Sequence, residues 1–210
     1  MSWEQVYQQW LNEENIPENL KNELKDLNTD PEKCEDAFYA PLEFGTAGMR
    51  GILGAGINRM NIFTVRQATE GLARFMDTQD PETKRRGVAI AYDSRHMSPE
   101  FAMEAAKTLA KHDIPSFVFE SLRPTPELSF AVRYFKAFAG IMITASHNPA
   151  AYNGYKVYGE DGGQMPPADA DALTKYVRSI ENSLKIDVLS DEEVAHSGLI
   201  NIVGEEVDNA

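Results

Sequence analysis

The chain of 210 residues is nearly devoid of cysteine. Cys34 stands alone, so no internal disulfide can form, and a reducing, cytoplasmic setting is implied. No apolar run approaches the roughly 20 residues that cross a bilayer. The first residues, Met1-Ser2-Trp3-Glu4-Gln5, have neither the basic nor the apolar region of a secretory leader. Base is scarce as well: 20 Lys and Arg face 33 Asp and Glu, for a net charge of −13. Such a balance argues against nucleic acid and anionic membrane as partners. Internal repeats and low-complexity tracts are absent. Hydrophobic residues are not: they make up 42% of the chain, enough for a packed core.

The acid is unevenly spread. Residues 1–36 carry ten acids and three bases, and residues 187–210 seven acids and no base, so each flank is −7 and the stretch 37–186 is +1. The middle is therefore free to receive an anion. The flanks read as solvated faces.

Periodicity predicts two short amphipathic helices, 2–11 and 17–28, with Trp3, Val6, Tyr7 and Trp10 on one face of the first and Leu20, Leu24 and Leu27 on one face of the second. Cys34 follows in a charged helical stretch with no motif around it. Residues 42–62 are glycine-rich and predict strand–loop–strand. From there helix and strand alternate: helix 64–77, strand 87–92, helix 98–111 with Ser98 as cap and Pro99 in its first turn, strand 116–119, helix 126–137, strand 140–143 and helix 167–183. Alternation with nearly continuous apolar strands predicts an α/β fold. Its sheet is mainly parallel (mixed) and covered by helices on both faces, with a helical N-terminal extension. The run 199–203 predicts one more strand.

Chemistry concentrates in Thr144-Ala145-Ser146-His147-Asn148-Pro149, just past the apolar strand 140–143. In an open α/β sheet ligands bind beyond strand ends. Asn153-Gly154 reads as a turn, with Lys156 after it opening a second apolar run. Serine, histidine and lysine near one tight loop suggest acyl or phosphoryl transfer; the same residues are compatible with an ordinary solvated loop. A Ser-His hydrolase fits poorly, because side chains of adjacent residues point apart and the Gly-x-Ser-x-Gly elbow is missing. Arg50, amid the glycines, suits a phosphate by its bidentate guanidinium and suits a structural ion pair equally.

Three segments together resemble the α-D-phosphohexomutases, the family of phosphoglucomutases and phosphomannomutases. Thr144–Pro149 followed by Tyr152-Asn153-Gly154-Tyr155-Lys156 is similar to the family's phosphoserine loop. Phe44-Gly45-Thr46-Ala47-Gly48-Met49-Arg50-Gly51 is similar to its N-terminal Gly-Thr-Ser/Ala-Gly-x-Arg-Gly segment, and Ala91-Tyr92-Asp93-Ser94-Arg95 to its Asp-x-Arg turn. The order and spacing agree, and the resemblance covers roughly residues 40–190. The style of the second segment, with a helical extension before it, resembles the bacterial α-phosphoglucomutase branch.

The resemblance implies that Ser146 carries a transferable phosphate, that Lys156 serves acid–base work or charge stabilisation, and that His147 touches phosphate or substrate. It implies a catalytic set of Ser146, His147, Lys156 and Arg50. It also implies a phosphate- and substrate-binding set of Arg50, His147, Asn148, Lys156 and Arg95. Arg95 and Asp93 are expected chiefly to support the loop from behind, and Arg123 is placed near the cleft without a role. Mg²⁺ is expected in the full-length enzyme, held here only by Ser146 through its phosphate, with glucose 1,6-bisphosphate as activator. The family's Asp-x-Asp-x-Asp-Arg metal loop is missing. Asp169-Ala170-Asp171 reads as a helix start instead. The Gly-Glu-x-Ser-Gly sugar loop and the Arg-x-Ser-Gly-Thr-Glu phosphate loop are also missing.

The expected organisation is a helical extension at 1–40, the family's first domain at 41–190, and the start of an incomplete second domain at 191–210. The expected partners are a phosphosugar and the enzyme's remaining domains. A mutase of mannose, glucosamine or pentose phosphates and a non-catalytic binding fragment stand as alternatives.

Overall fold

A computed structural model describes residues 1–45 and 48–210. Thr46 and Ala47, within the expected phosphohexomutase segment, lie outside the described residues. The chain begins with three helices: α1 (Trp3–Leu11), α2 (Glu18–Leu27) and α3 (Pro31–Phe38). Two were expected. The third starts at Pro31, where Asp30 caps it by accepting from the N–H of Lys33 at 3.2 Å. Their apolar faces close on one another through Tyr7, Trp10, Leu24 and Phe38, and Trp10 also meets Phe63 edge to face at 5.1 Å. Cys34 is part of that core, 3% exposed, as a small hydrophobe.

After β1 (Phe44–Gly45) and β2 (Gly48–Ile52) come α4 (Ile62–Asp77), α5 (Pro81–Arg85), β3 (Val88–Tyr92) and α6 (Ser98–Ala110). Next are β4 (Ser116–Phe119), α7 (Thr125–Tyr134), β5 (Ala139–Ile143), β6 (Tyr152–Tyr158) and α8 (Pro167–Arg178). The chain closes with α9 (Asp191–Ser197), β7 (Ile200–Val203) and α10 (Glu205–Asp208). The seven strands form one mixed sheet in the order β1-β2-β6-β5-β3-β4-β7. Strands β5, β3, β4 and β7 run parallel, whereas β6, β2 and β1 are added antiparallel.

Alternation along β3 shows how both faces are covered. Val88, Ile90 and Tyr92 pack into a core with Leu72 of α4, Leu109 of α6 and Leu173 of α8. Ala89 and Ala91 face the other way, onto Leu128 and Val132 of α7 and Val207 of α10. Every residue of β3 and β5 is buried, which is why these strands read as unbroken apolar runs.

Several boundaries differ from the periodicity reading. Helix α4 starts at Ile62 because Asn61 accepts from the N–H groups of Phe63 and Thr64. Helix α7 stops at Tyr134, shortly before Lys136 takes a left-handed φ of 53°. Helix α8 stops at Arg178. Residues 183–185 form a separate 3₁₀ turn capped by Asn182, whose side chain accepts from Leu184 N. Ser98 does not cap α6: Met97 holds the cap position with φ 65°, and the Ser98 hydroxyl is used elsewhere. The run expected to open a second domain supplies β7, which pairs in parallel with β4 at the edge of this sheet.

Candidate active site

Three chain segments meet at the carboxyl end of β5. The first is the serine loop. Thr144 still bonds β6, its N–H donating to Gly154 O at 3.0 Å, and its hydroxyl accepts from Ser146 N at 3.0 Å. Ser146 then takes a left-handed φ of 57°, a conformation that costs a non-glycine residue about 1 kcal/mol or more. It turns the exposed Oγ to within 3.4 Å of His147 Nδ1. That corrects the expectation that adjacent side chains point apart here. The contact is long for a hydrogen bond, and both residues are exposed.

The second segment is β6, and here a turn was expected wrongly. Asn153 and Gly154 lie inside the strand, opposite Gly51 and Arg50, and the turn is at 146–151. Asn153 is fully buried because its amide is occupied on both ends. Nδ2 donates to His96 O and Ser98 Oγ, each at 2.9 Å, and Oδ1 accepts from Gly154 N at 2.8 Å. Gly154 is needed for space: a Cβ there would stand 2.6 Å from Thr144 O and 2.8 Å from Met49 O. Lys156 is thus a mid-strand residue, opposite Met142, rather than one that follows a turn.

The third segment is β2, which sets Arg50 directly across from Gly154. Side chains alternate along a strand, so Arg50 and Lys156 share one face, opposite to that of Met49 and Tyr155. Tyr155 points into the core and donates to or accepts from Thr69 Oγ1 at 3.0 Å; burial pushes its phenol far up, to beyond ordinary titration. Arg50 is exposed and Lys156 half-buried, and neither has an ion-pair partner among the described residues. Two cations without an ion-pair partner among the described residues therefore share one face of the paired strands β2 and β6, beside the strand whose loop carries an exposed serine.

Behind the loop, Arg95 donates to the carbonyls of Ser146, Asn148, Pro149 and Tyr152 at 2.7–2.9 Å. Its Nε lies 3.5 Å from Asp93 Oδ2. The expectation that it supports the loop agrees with this geometry. The expectation that it also binds phosphate does not, because its donors are already committed. Arg123 donates its backbone N–H to Tyr92 O, and its guanidinium pairs with Glu127 at 3.0 Å and Asp208 at 2.7 Å. It is an anchor for α10, with no charge left over for a ligand.

A family model described as phosphoglucomutase/phosphomannomutase, alpha/beta/alpha domain I, matches residues 41–184. The chain belongs to this family. Phosphoglucomutase of Staphylococcus saprophyticus is 40% identical over 198 residues, 94% of this chain and 35% of that protein. Phosphoglucomutase of Staphylococcus aureus strain USA300 is 42% identical over 179 residues, 85% and 31% of the two chains. A solved structure from Thermus thermophilus, provisionally assigned as a phosphomannomutase, superposes with a TM-score of 0.60 and 31% identity over 74% of this chain and 34% of its own. The open form of Paramecium parafusin, at 19% identity and a TM-score of 0.54, covers 74% of this chain and 28% of its own, and shares the fold. The chain thus spans about a third of the length of the phosphoglucomutases it matches.

The phosphohexomutase fold places Ser146, His147 and Asn148 in the loop after β5, with Arg95 hydrogen-bonded to that loop, and sets Arg50 and Lys156 on the neighbouring strands β2 and β6. Asn153 and Ser98 were not legible as supports of the site, because Asn-Gly is normally a turn signal and a serine before proline a helix cap. A Mg²⁺ site does not fit the donors of this chain. Among the described residues no group of three or more His, Cys, Asp or Glu side chains is arranged to hold a metal. Asp93, which faces Arg95 under the loop, already accepts from Arg95 N and Ser98 Oγ. Asp169 is a first-turn acid of α8, as expected.

Proposed function

We propose that this chain is the phosphoserine-bearing first domain of an α-phosphoglucomutase, with residues 1–40 as a helical extension of it. The observation that carries the reading is an exposed, left-handed Ser146 in the loop after β5, with two cations that lack an ion-pair partner among the described residues, Arg50 and Lys156, on one face of the adjacent strands β2 and β6. In the forward half-reaction a sugar hydroxyl attacks the phosphorus of phospho-Ser146. The P–O bond to Oγ breaks and a sugar bisphosphate forms. The proton of the sugar hydroxyl is carried to the departing Oγ, which regains its O–H, and Lys156 in its neutral amine form is assigned as the relay. In the reverse half the second phosphate of the bisphosphate returns to Oγ. Little covalent chemistry is asked of the protein, so positioning and charge neutralisation dominate. Arg50 would supply that charge, His147 a contact to the phosphate, and Asn148 the shape of the loop.

Glucose phosphates are the preferred substrates because the matching staphylococcal relatives are named phosphoglucomutases. A mannose phosphate is the second reading, favoured by the Thermus assignment. Mg²⁺, sugar selection and the distal phosphate site belong to the remaining domains of the enzyme. The single buried thiol agrees with a cytoplasmic setting, and among the described residues no helix is long and apolar enough to cross a membrane.

The deciding experiment is the intact mass of the chain before and after glucose 1,6-bisphosphate with Mg²⁺, beside Ser146→Ala. One added phosphate that disappears in the variant is the expected result. Equal masses with and without the bisphosphate would overturn the assignment of Ser146 as a carrier competent in this domain.

A further inference from the structure

We infer that Arg95 is a positioning residue for phosphoryl transfer: it holds the serine loop in the backbone conformation that presents Ser146 Oγ and turns loop N–H groups toward it. This rests on the reading of Ser146 as phosphate carrier. A guanidinium has five N–H donors in a fixed plane. Nη1 donates to Pro149 O and Tyr152 O, both at 2.9 Å, and Nη2 to Ser146 O at 2.8 Å and Asn148 O at 2.7 Å. Nε faces Asp93 Oδ2. One side chain, 13% exposed, thus gathers four carbonyls from seven consecutive residues. Four oxygens pointed at a common centre repel one another unless a cation with matching donors sits there.

The cage is itself held in place. Arg95 N donates to Asp93 Oδ1 at 2.9 Å, the same oxygen accepts from Ser98 Oγ at 3.0 Å, and Ser98 Oγ accepts from Asn153 in β6. The network ties β3, α6 and β6 to the underside of the loop. Its consequence for the upper side follows from peptide planarity. No peptide is cis, and in a trans peptide C=O and N–H point opposite ways. Drawing Ser146 O and Pro149 O down onto Arg95 turns the N–H groups of His147 and Ala150 away from it, toward the exposed side of the loop. Neither N–H has a protein acceptor among the described residues. Such outward amides suit a phosphate ester on Ser146.

The test compares the wild-type chain with Arg95→Gln and Arg95→Lys. Amide hydrogen exchange is followed in the loop 144–152 and in α4, together with the rate of phosphate uptake from glucose 1,6-bisphosphate as its concentration is varied. In Arg95→Gln, loop exchange should rise about tenfold while α4 is unchanged. Maximal uptake should fall about 100-fold with little change in the half-saturating concentration. Lysine, with three donors on a point charge, should recover part of both. Loop exchange equal to wild type, or loop and α4 exchange rising together, would overturn the inference and mark Arg95 as an ordinary folding residue. Should Arg95→Gln fail to fold, the same two readouts on Arg95→Lys decide. If wild type takes up no phosphate, the proposed function fails, and the exchange comparison still decides whether Arg95 sets the loop.

Discussion

Ser146 is both the reactive group and the strained one. Its left-handed φ costs about 1–2 kcal/mol in an L-residue, whereas glycine adopts it freely. Glycine gives back about 0.5–1 kcal/mol through the entropy of the unfolded chain. Ser146→Gly should therefore raise the unfolding free energy by about 0.5–1 kcal/mol while removing all phosphate uptake. Ser146→Ala should remove uptake without that gain. Denaturant titration of the two variants, read beside their intact masses, checks the pair. A serine that glycine outperforms in stability is one retained for its oxygen. The motif around it was legible because residue types and spacing carry the chemistry. Its backbone conformation was not, since Ser-His-Asn has no strong left-handed signature, and neither was the 3.4 Å approach of His147 that follows from it.

Among the elements, the antiparallel half of the sheet depends on close backbone approach. A Cβ on Gly154 would press on carbonyls of β2 and of the serine loop at once, and backbone atoms yield little. Gly154→Ala should destabilise the chain by about 2–3 kcal/mol or more, measured by chemical denaturation. Its effect on Ser146 should exceed its effect on the parallel half, as the NMR shifts of loop and β3 amides would report. The parallel half was the easier to read, because β3 and β5 are apolar throughout. The first half of strand β6 was hidden by Asn153 and Gly154, which look like a turn until Ser98 and His96 supply partners from 55 residues away or more.

A second device joins α4 to the turn after α6. His112 meets Glu70 at 2.8 Å through Nε2 and Asp77 at 2.7 Å through Nδ1. Arg74 backs Glu70, and Lys84 backs Asp77. The hydrogen bond to Glu70 raises the histidine's pKa above 6.5, burial opposes the rise, and Asp77 adds to it. Glu70 is held below its usual range chiefly by His112. Burial lifts Asp77, but Lys84 and His112 more than offset it. A raised histidine stabilises fully below its unfolded pKa, near 6.5, and loses the contribution as pH rises through the folded value. The depressed carboxylates act in the opposite sense and lose theirs in acid. The stability difference between wild type and His112→Gln should therefore be largest near pH 6 and shrink toward pH 9. A difference constant across that range would contradict the strap.

At the scale of the whole molecule, Ser146, His147 and Arg50 are exposed. Transfer to a sugar in preference to water requires a site that excludes solvent. The chain alone should interconvert glucose 1-phosphate and glucose 6-phosphate at a rate far below that of an ordinary enzyme, in a coupled assay. A normal turnover number would show that the exposed loop suffices. Fold class followed from alternation alone. The destination of residues 200–203 did not, because a short apolar run does not say which sheet it will join.

The pairing of β2 with β6 also bears on how the molecule is made. Arg50 finds Gly154 roughly a hundred residues along the chain. Closing so long a loop is entropically late, while the packing of α4 on α6 and the β3–β4 pairing join elements much nearer in sequence. The glycine-rich strand should therefore dock near the end of folding, onto a largely formed parallel half. Because that strand carries Arg50, the chain should acquire most of its fold before it acquires the cation assigned to its phosphate, and a nascent or partly unfolded copy should take up phosphate poorly.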